Sequence, residues 1–314
     1  VLADVGLDPG ALEVPLARLS GGQRVKAGEQ IALDAPIESP PLEDLLSVGE
    51  SVLIVVSDAT RATASAQIVN LLLRRFIQQG IAPGNIAIIF ANGIHRPTTL
   101  EEKQHLLTPF VTQRIKVLDH DAALAANLML LGETEWGTPI EVNRALRDFS
   151  HVILTGGVGF HYFAGFTGGR KSICPGLASA RTIAATHMLA LDFEHGGRRA
   201  GVGTSLLEGN PVHEECERVA AMINPTFSIN AIVDDQGLAT RLFAGDWRLA
   251  HREACRYYLG EHSKTISRKR AVVIASCGGT PYDINLIQAH KALETASLAC
   301  NEGGTIVFLA ECAD

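Results

Sequence analysis

Short apolar runs that alternate with helical segments constrain the fold of this chain more than any other feature of its sequence. The first run, Ser51–Ser57, is rich in β-branched residues, which is typical of a strand buried on both faces of a sheet. Asn85–Ala91 and His151–Thr155 are similar runs, and Ser65–Gln79 predicts a helix between the first two. This alternation predicts an α/β fold with a largely parallel sheet.

A polar loop follows each of these three predicted strands. The first loop carries Asp58 and Arg61, and the second carries His95. The third loop opens the glycine-rich region Gly156–His187. Ligands of open α/β sheets bind beyond the carboxyl ends of the strands. We therefore expect the three loops to converge on one site.

The glycine-rich region favours a small anionic ligand. Glycine lets backbone amides approach a ligand closely, and Arg170 and Lys171 are embedded among the glycines. The formal net charge of −7 argues against a nucleic-acid-binding protein, which would normally be basic. A local basic pocket can still exist in an acidic protein, so a phosphate- or carboxylate-bearing ligand is predicted.

Two nucleotide-binding motifs are nearly matched here. Gly165–Ser172 resembles a phosphate loop, but Arg170 replaces the glycine that precedes the lysine. Gly157-Val-Gly159 begins like a dinucleotide fingerprint, but Tyr162 fills its last small position. An NAD(P)-dependent 2-hydroxyacid oxidoreductase and a non-catalytic binder of a phosphorylated ligand at Gly168–Lys171 are therefore the alternative hypotheses.

Three histidines stand apart from the others. His95 and His161 follow strand ends, and imidazoles that face one substrate could act as acid and base because they titrate near neutrality. His187 lies on a predicted helix, Ser179–Leu191, and its apolar neighbours by themselves favour a core histidine. Asp58 and Arg61 could form a salt bridge within a turn, or Arg61 could bind a carboxylate.

A second α/β unit is predicted near the end of the chain. Ala271–Ser276 is a strand-like run, and the helix that follows carries Gln288 and Lys291 one turn apart on a single face. We expect an N-terminal domain at residues 1–265 and the start of a C-terminal domain, incomplete in this chain, at residues 266–314.

Several other local patterns predict secondary structure. Thr98 with Glu101 predicts a capping box at the start of a helix. A β-ribbon is predicted around the turn Asp234–Gly237. Further predictions are strands at Ile115–Leu118, Asn127–Leu131 and Gly304–Leu309, and helices at Asn210–Ile223 and Asp246–Leu259.

The six cysteines are scattered without a C-x-x-C pair, which favours reduced thiols of a cytoplasmic protein. No apolar run approaches the roughly 18 residues of a membrane span. We expect no membrane and no nucleic-acid partner.

Taken together, these residues resemble the nickel-pincer lactate racemase family. The matching segments, in order, are Ser57–Arg61, Gly93–Thr98, His161, Gly168–Ser172, His187, and Gln288 with Lys291. Each motif is short, but their joint occurrence through most of the chain is specific. The resemblance implies a racemase or epimerase that inverts the α-carbon of a 2-hydroxy acid, lactate or a relative, by hydride transfer through a 2-oxo acid intermediate.

The resemblance also implies a cofactor and a role for each matching residue. The cofactor would be nickel held by a pyridinium-3,5-bisthiocarboxylic acid mononucleotide, loaded by its biosynthesis proteins and bound in a cleft between two α/β domains. His187 would bind the metal, and His95 and His161 would be the catalytic acid–base pair. The substrate-binding residues would be Arg61, Gln288 and Lys291. The cofactor-binding residues would be Asp58, Gly168, Gly169, Arg170, Lys171 and Ser172.

Overall fold

A computed structural model describes residue 28, residues 32–280 and residues 282–313 of the chain. Its strands are β1 (Val52–Ser57), β2 (Ile86–Ala91), β3 (Lys116–Asp119), β4 (Leu128–Glu133), β5 (Pro139–Asn143), β6 (His151–Gly157), β7 (Phe160–His161), β8 (Gly165–Phe166), β9 (Phe227–Val233), β10 (Ala239–Gly245), β11 (Arg270–Ser276) and β12 (Cys300–Leu309). Its α-helices are α1 (Leu42–Leu45), α2 (Ser65–Gln78), α3 (Leu100–Leu107), α4 (Pro109–Thr112), α5 (Ala145–Asp148), α6 (Ala180–Met188), α7 (Pro211–Ile223), α8 (Leu249–His262) and α9 (Leu286–Ala299).

The central sheet has six strands in the order β10-β9-β6-β1-β2-β3. Strand β1 pairs in parallel with both β2 and β6, and only the pairing of β9 with β10 in this sheet is antiparallel. The predicted α/β fold with a largely parallel sheet is therefore confirmed, as is the β-ribbon. Because the chain leaves β1 first towards β2 and later returns to its other side as β6, a crevice opens between the two directions.

Apolar side chains cover both faces of this sheet. Residues Val52–Val56 of β1 are fully buried, as the continuous apolar run predicts. Helix α2 packs on one face through Ile68, Leu72 and Phe76, which are spaced one helical turn apart. Gly80 ends the helix at a φ of +89°, a conformation that favours glycine.

The capping-box prediction is wrong by one residue. The hydroxyl of Thr99, and not of Thr98, accepts the Glu102 amide at 3.2 Å, and the Glu102 carboxylate accepts the Thr99 amide at 2.7 Å. Thr98 is buried instead and accepts a hydrogen bond from Asn92. Adjacent threonines and adjacent glutamates satisfy the motif in either register, so tertiary packing decides between them.

Strands outside the central sheet were only partly predicted. Strand β4 was expected, but it pairs in antiparallel fashion with β5, which the sequence pattern did not indicate. Strands β11 and β12 form a separate parallel pair, with α9 between them in sequence. Helix α9 contacts the larger unit, which is the part of the chain that contains the central sheet. The contacts are an Arg198–Glu294 ion pair of 2.5 Å and the packing of Tyr162 on His290. No helix in the described ranges is long and apolar enough to cross a membrane.

The packing of α2 makes a matched test of the core. We expect Phe76→Ala to lower the free energy of unfolding by about 3–5 kcal/mol, because it removes a fully buried ring. The neighbouring Ile77→Ala changes a side chain that is half exposed, so its loss should stay below about 1 kcal/mol. Urea unfolding followed by circular dichroism measures both, and equal losses would contradict this packing.

Candidate active site

A cavity of about 210 Å³ lies at the carboxyl ends of the adjacent strands β6, β1 and β2 and is closed by α9. The structure brings ten of the twelve predicted site residues to its lining. They are Asp58, Arg61, His95, His161, Gly168, Lys171, Ser172, His187, Gln288 and Lys291. The three loops thus converge as the sequence predicts.

The other two predicted site residues, Gly169 and Arg170, do not line the cavity. The Arg170 side chain is buried behind the loop, where its Nη2 donates to the carbonyl of Ala164 at 2.7 Å. Gly169 packs against the ring of His251 and donates its amide to Asn230 at 3.2 Å. Both residues therefore shape the loop from behind.

His95 is held by a carboxylate. Its Nδ1 lies 2.6 Å from Oδ2 of Asp58, whose Oδ1 accepts the hydroxyl of Thr60 at 2.6 Å. Burial would raise the pKa of Asp58, but the hydrogen bonds from His95 and Thr60 and the charges of His95 and Arg61 lower it overall. An ionised Asp58 keeps a proton on Nδ1 of His95, so Nε2 is the nitrogen that can accept a proton.

His161 is held in the opposite way. It ends the short strand β7, and its Nδ1 accepts the amide of Ala164 at 3.2 Å, which places the ring proton on Nε2. Burial, followed by the charges of Lys171, Arg61, Lys291 and Arg170, holds the pKa of His161 well below its usual value. His161 is therefore a neutral imidazole whose Nε2–H can donate.

His187 presents a lone pair to the cavity. Ser179 caps helix α6, and one turn before the end of that helix the Ile183 carbonyl lies 2.6 Å from Nδ1 of His187. A carbonyl can only accept, so Nδ1 donates and Nε2 keeps its lone pair. Burial, and then the charge of Lys171, lowers the pKa of His187, so the ring is neutral. A histidine fixed in this way is a typical metal ligand.

Three basic side chains, those of Arg61, Lys171 and Lys291, line the cavity. Burial and the charges of Arg61 and Arg170 hold the pKa of Lys171 well below its usual value. Burial and Arg61 lower the pKa of Lys291 to about 8, and its Nζ donates to the Gln288 carbonyl oxygen at 2.6 Å. Asp58 is the only carboxylate that lines the cavity within the described ranges. The lining is therefore suited to an anionic ligand.

The near-matches to nucleotide motifs do not fold as those motifs require. Gly157-Val-Gly159 continues into strand β7, whereas a dinucleotide fingerprint opens a helix. Gly169–Ser172 forms a single 3₁₀ turn, and not the start of a long helix. The geometry therefore does not favour the nicotinamide-dependent alternative.

Asn92 and Gly176 also line the cavity and hold its loops in position, although the sequence did not predict them as site residues. The side-chain amide of Asn92 donates to the Arg96 carbonyl and to Thr98, both at 3.1 Å, and so fixes the loop that carries His95. The carbonyl of Gly176 accepts the amide of Gly93 at 2.9 Å, which joins this loop to the glycine-rich region. The Asn92-Gly93 pair after a strand was the available signal, because such pairs mark turns.

Comparisons with known proteins show which family this chain resembles. A family model described as the lactate racemase N-terminal domain matches residues 17–197, and one described as the lactate racemase C-terminal domain matches residues 266–314. The lactate racemase of Thermoanaerobacterium thermosaccharolyticum is 33% identical over 97% of this chain and 72% of that protein. The lactate racemase of Lactiplantibacillus plantarum is 32% identical over 90% of this chain and 65% of that protein.

Solved structures show the same similarity. The lactate racemase apoprotein from T. thermosaccharolyticum matches with a TM-score of 0.84 and 31% identity, over 92% of this chain and 67% of that chain. A protein from Thermotoga maritima, at a TM-score of 0.67 and 24% identity, shares the fold over 92% of this chain and 70% of its own. The chain spans about two-thirds of the length of these relatives.

The loop behind the cavity depends on the absence of a side chain at Gly169. A Cβ there would lie 2.5 Å from Cγ of His251, and the φ of +52° already disfavours other residues. We expect Gly169→Ala to lower the free energy of unfolding by more than about 3 kcal/mol. Gly209→Ala is the control, because Gly209 also has a positive φ but no atom near its missing Cβ, so about 1–2 kcal/mol should be lost. Chemical unfolding of both variants measures the difference, and equal losses would show that the His251 contact is unimportant.

Proposed function

This chain belongs to the lactate racemase family, and we propose that it is a racemase that inverts the α-carbon of a 2-hydroxy acid, lactate being the substrate named for its relatives. The observation that supports this proposal is the convergence of His95 and His161, in opposite hydrogen-bonding states, on one cavity that also carries Arg61 and Lys291. Inversion through a 2-oxo acid needs one group that accepts the hydroxyl proton and one that donates a hydrogen bond to the oxygen after the acid has reoriented.

The lining fits a nickel-bearing anionic mononucleotide. The excess of basic side chains over carboxylates suits a phosphate and thiocarboxyl groups, whose negative charge would favour the protonated lysines. His187 offers one neutral nitrogen donor, and in the described ranges no cluster of three or more histidine, cysteine, aspartate or glutamate residues could hold a metal by itself. A metal at this site would therefore need further ligands from a bound organic group, which is what a pincer nucleotide supplies.

We assign the cofactor-contacting roles accordingly. His187 would bind nickel, and Lys171 would lie against the organic group, with Asp58, Gly168 and Ser172 completing its site. Gly169 and Arg170 would support this site from behind the loop, because they do not reach the cavity. When bound, the cofactor supplies the hydride acceptor and donor that the protein side chains lack. We expect loading by the cofactor-biosynthesis proteins in the cytoplasm.

The remaining residues act on the substrate. Arg61 and Lys291 would bind the substrate carboxylate, with Gln288 held in place by its hydrogen bond to Lys291. For one enantiomer, Nε2 of His95 would take the hydroxyl proton while Asp58 stabilises the resulting imidazolium. The 2-oxo acid would then reorient, and His161 would face its oxygen. The Nε2–H of His161 would hydrogen-bond to the oxyanion of the product, and the proton held on His95 would be returned to that oxyanion, so that both histidines end in their starting states.

The direct test is inversion of lactate by cofactor-loaded protein, followed by chiral chromatography and by nickel analysis. The protein should convert either enantiomer to the racemate and should contain nickel. His187→Ala should lose both the metal and the activity. Nickel-free protein, together with unchanged activity in His187→Ala, would refute the proposal.

The acid–base pair makes a prediction of its own. His95→Ala and His161→Ala should each lower kcat by about 10²–10⁴-fold, the usual contribution of a positioned acid or base. His105→Ala is a matched control, because His105 is exposed on α3 and does not line the cavity. Chiral chromatography at saturating substrate measures kcat, and a loss below about tenfold in either variant would exclude that histidine from proton transfer.

The pKa of Lys291 predicts a fall in activity at alkaline pH. The lysine is a cation below its pKa of about 8 and loses its charge as pH rises through that value. The kcat/KM should therefore decrease by about tenfold per pH unit above about pH 8. Arginine stays charged in this range, so Lys291→Arg should abolish this alkaline limb even if its activity is lower. Persistence of the limb in Lys291→Arg would assign it to another group.

A further inference from the structure

A second cavity, of about 250 Å³, adjoins the active site. The two cavities share Asp58, His95 and Gln288 in their linings, so they meet at the hydrogen-bonded pair Asp58–His95. The second cavity lies between the loops after β1 and β2 and the start of α9. Its other lining residues are Ala59, Thr60, Arg96, Thr98, Glu102, Ile284 and Asn285.

The charges in this second cavity are paired with each other. The Arg96 guanidinium donates to both carboxylate oxygens of Glu102, at 2.6 and 2.9 Å. Asp58 accepts a single hydrogen bond from His95, whose Nδ1 lies 2.6 Å from its Oδ2.

Four neutral side chains complete the lining, and each is partly engaged within the protein. Thr60 donates to Asp58, Thr98 accepts from Asn92, and the side-chain oxygens of Asn285 and Gln288 accept from the Gln288 amide and from Lys291. The hydroxyl oxygen of Thr60 can still accept, and the side-chain NH₂ groups of Asn285 and Gln288 can still donate. The lining is therefore polar, offers both donors and acceptors, and has, among the residues that the structure describes, no cation that is not already paired with a carboxylate.

We propose that the second cavity binds the distal part of the substrate and that this part carries hydroxyl groups, so that the enzyme acts on a polyhydroxylated 2-hydroxy acid longer than lactate. This inference rests on the proposed function, because it assumes that the reacting carbon lies beside His95. Because the two cavities share His95 and Gln288, a chain extending from that carbon past His95 would reach the second cavity.

The lining distinguishes hydroxyl groups from the other substituents that a 2-hydroxy acid can carry. A second carboxylate would face Asp58 and Glu102 and would find Arg96 already paired. An alkyl chain would gain little, because Ala59 and Ile284 are the only apolar residues of the lining within the described ranges. Hydroxyl groups both donate and accept, so they match the mixed neutral groups.

The test is a series of four-carbon acids that differ only beyond the reacting carbon. Cofactor-loaded enzyme is assayed by chiral chromatography with 2-hydroxybutanoate, 2,3,4-trihydroxybutanoate and 2-hydroxybutanedioate, and with lactate as reference. We expect kcat/KM for the trihydroxy acid to exceed both others by about tenfold or more, as two additional net hydrogen bonds would produce.

An equal or higher value for 2-hydroxybutanoate or 2-hydroxybutanedioate would overturn this inference. Inversion of lactate in the same assay would leave the proposed function intact, whereas failure with all four acids would count against the proposed function itself.

A charge variant tests the same cavity from the protein side. Glu102→Gln keeps the capping role, which glutamine can also perform, but frees the charge of Arg96. The ratio of kcat/KM for the dicarboxylic acid to that for the trihydroxy acid should rise by about tenfold. Glu208→Gln is the control, because it removes a carboxylate paired with Arg252 that lines neither cavity. An unchanged ratio in Glu102→Gln, or an equal change in both variants, would show that the distal group does not reach Arg96.

Discussion

The parallel pairing of β1 with both β2 and β6 is the constraint on which the site depends. Parallel neighbours end at the same edge of a sheet, so the register Val55–Ile89 and Val55–Leu154 brings three loops together although they are far apart in sequence. The side chains that make this register favourable are the buried apolar residues of the strands. Core packing, and not the loops themselves, therefore sets which polar residues can meet.

Three histidines of the site differ in chemical character because their Nδ1 atoms contact different groups. A carboxylate beside His95 keeps its Nε2 ready to accept a proton, and a backbone amide beside His161 leaves its Nε2 as a donor. A helical carbonyl beside His187 leaves a lone pair for a metal. Asp58 is distant from His95 in sequence, and the partners of His161 and His187 are backbone groups. The differences between the three histidines therefore arise from the fold.

The structure could be predicted from the sequence where a residue pattern is compatible with only one local structure. The apolar runs predicted the central strands, and polar residues after them predicted the site, because both follow from burial in a parallel sheet. The sequence was insufficient where side-chain direction decided the outcome. Arg170 lies between Gly169 and Lys171 in sequence, yet its guanidinium points away from the cavity and packs near His251. The same limit applies to the register of the capping box and to the ring protons of the histidines.

The seating of α9 on the larger unit has a consequence for how such an enzyme can diversify. The proposed metal and cofactor contacts all come from the loops of the central sheet and from α6, whereas Gln288 and Lys291 come from α9, held by Arg198–Glu294 and by Tyr162 against His290. The proposed metal and cofactor contacts are thus separated physically from part of the proposed substrate contact. Changes in α9 and its flanking residues can alter which acid is accepted while the reactive centre is inherited unaltered, so one cofactor site can be fitted with many specificities.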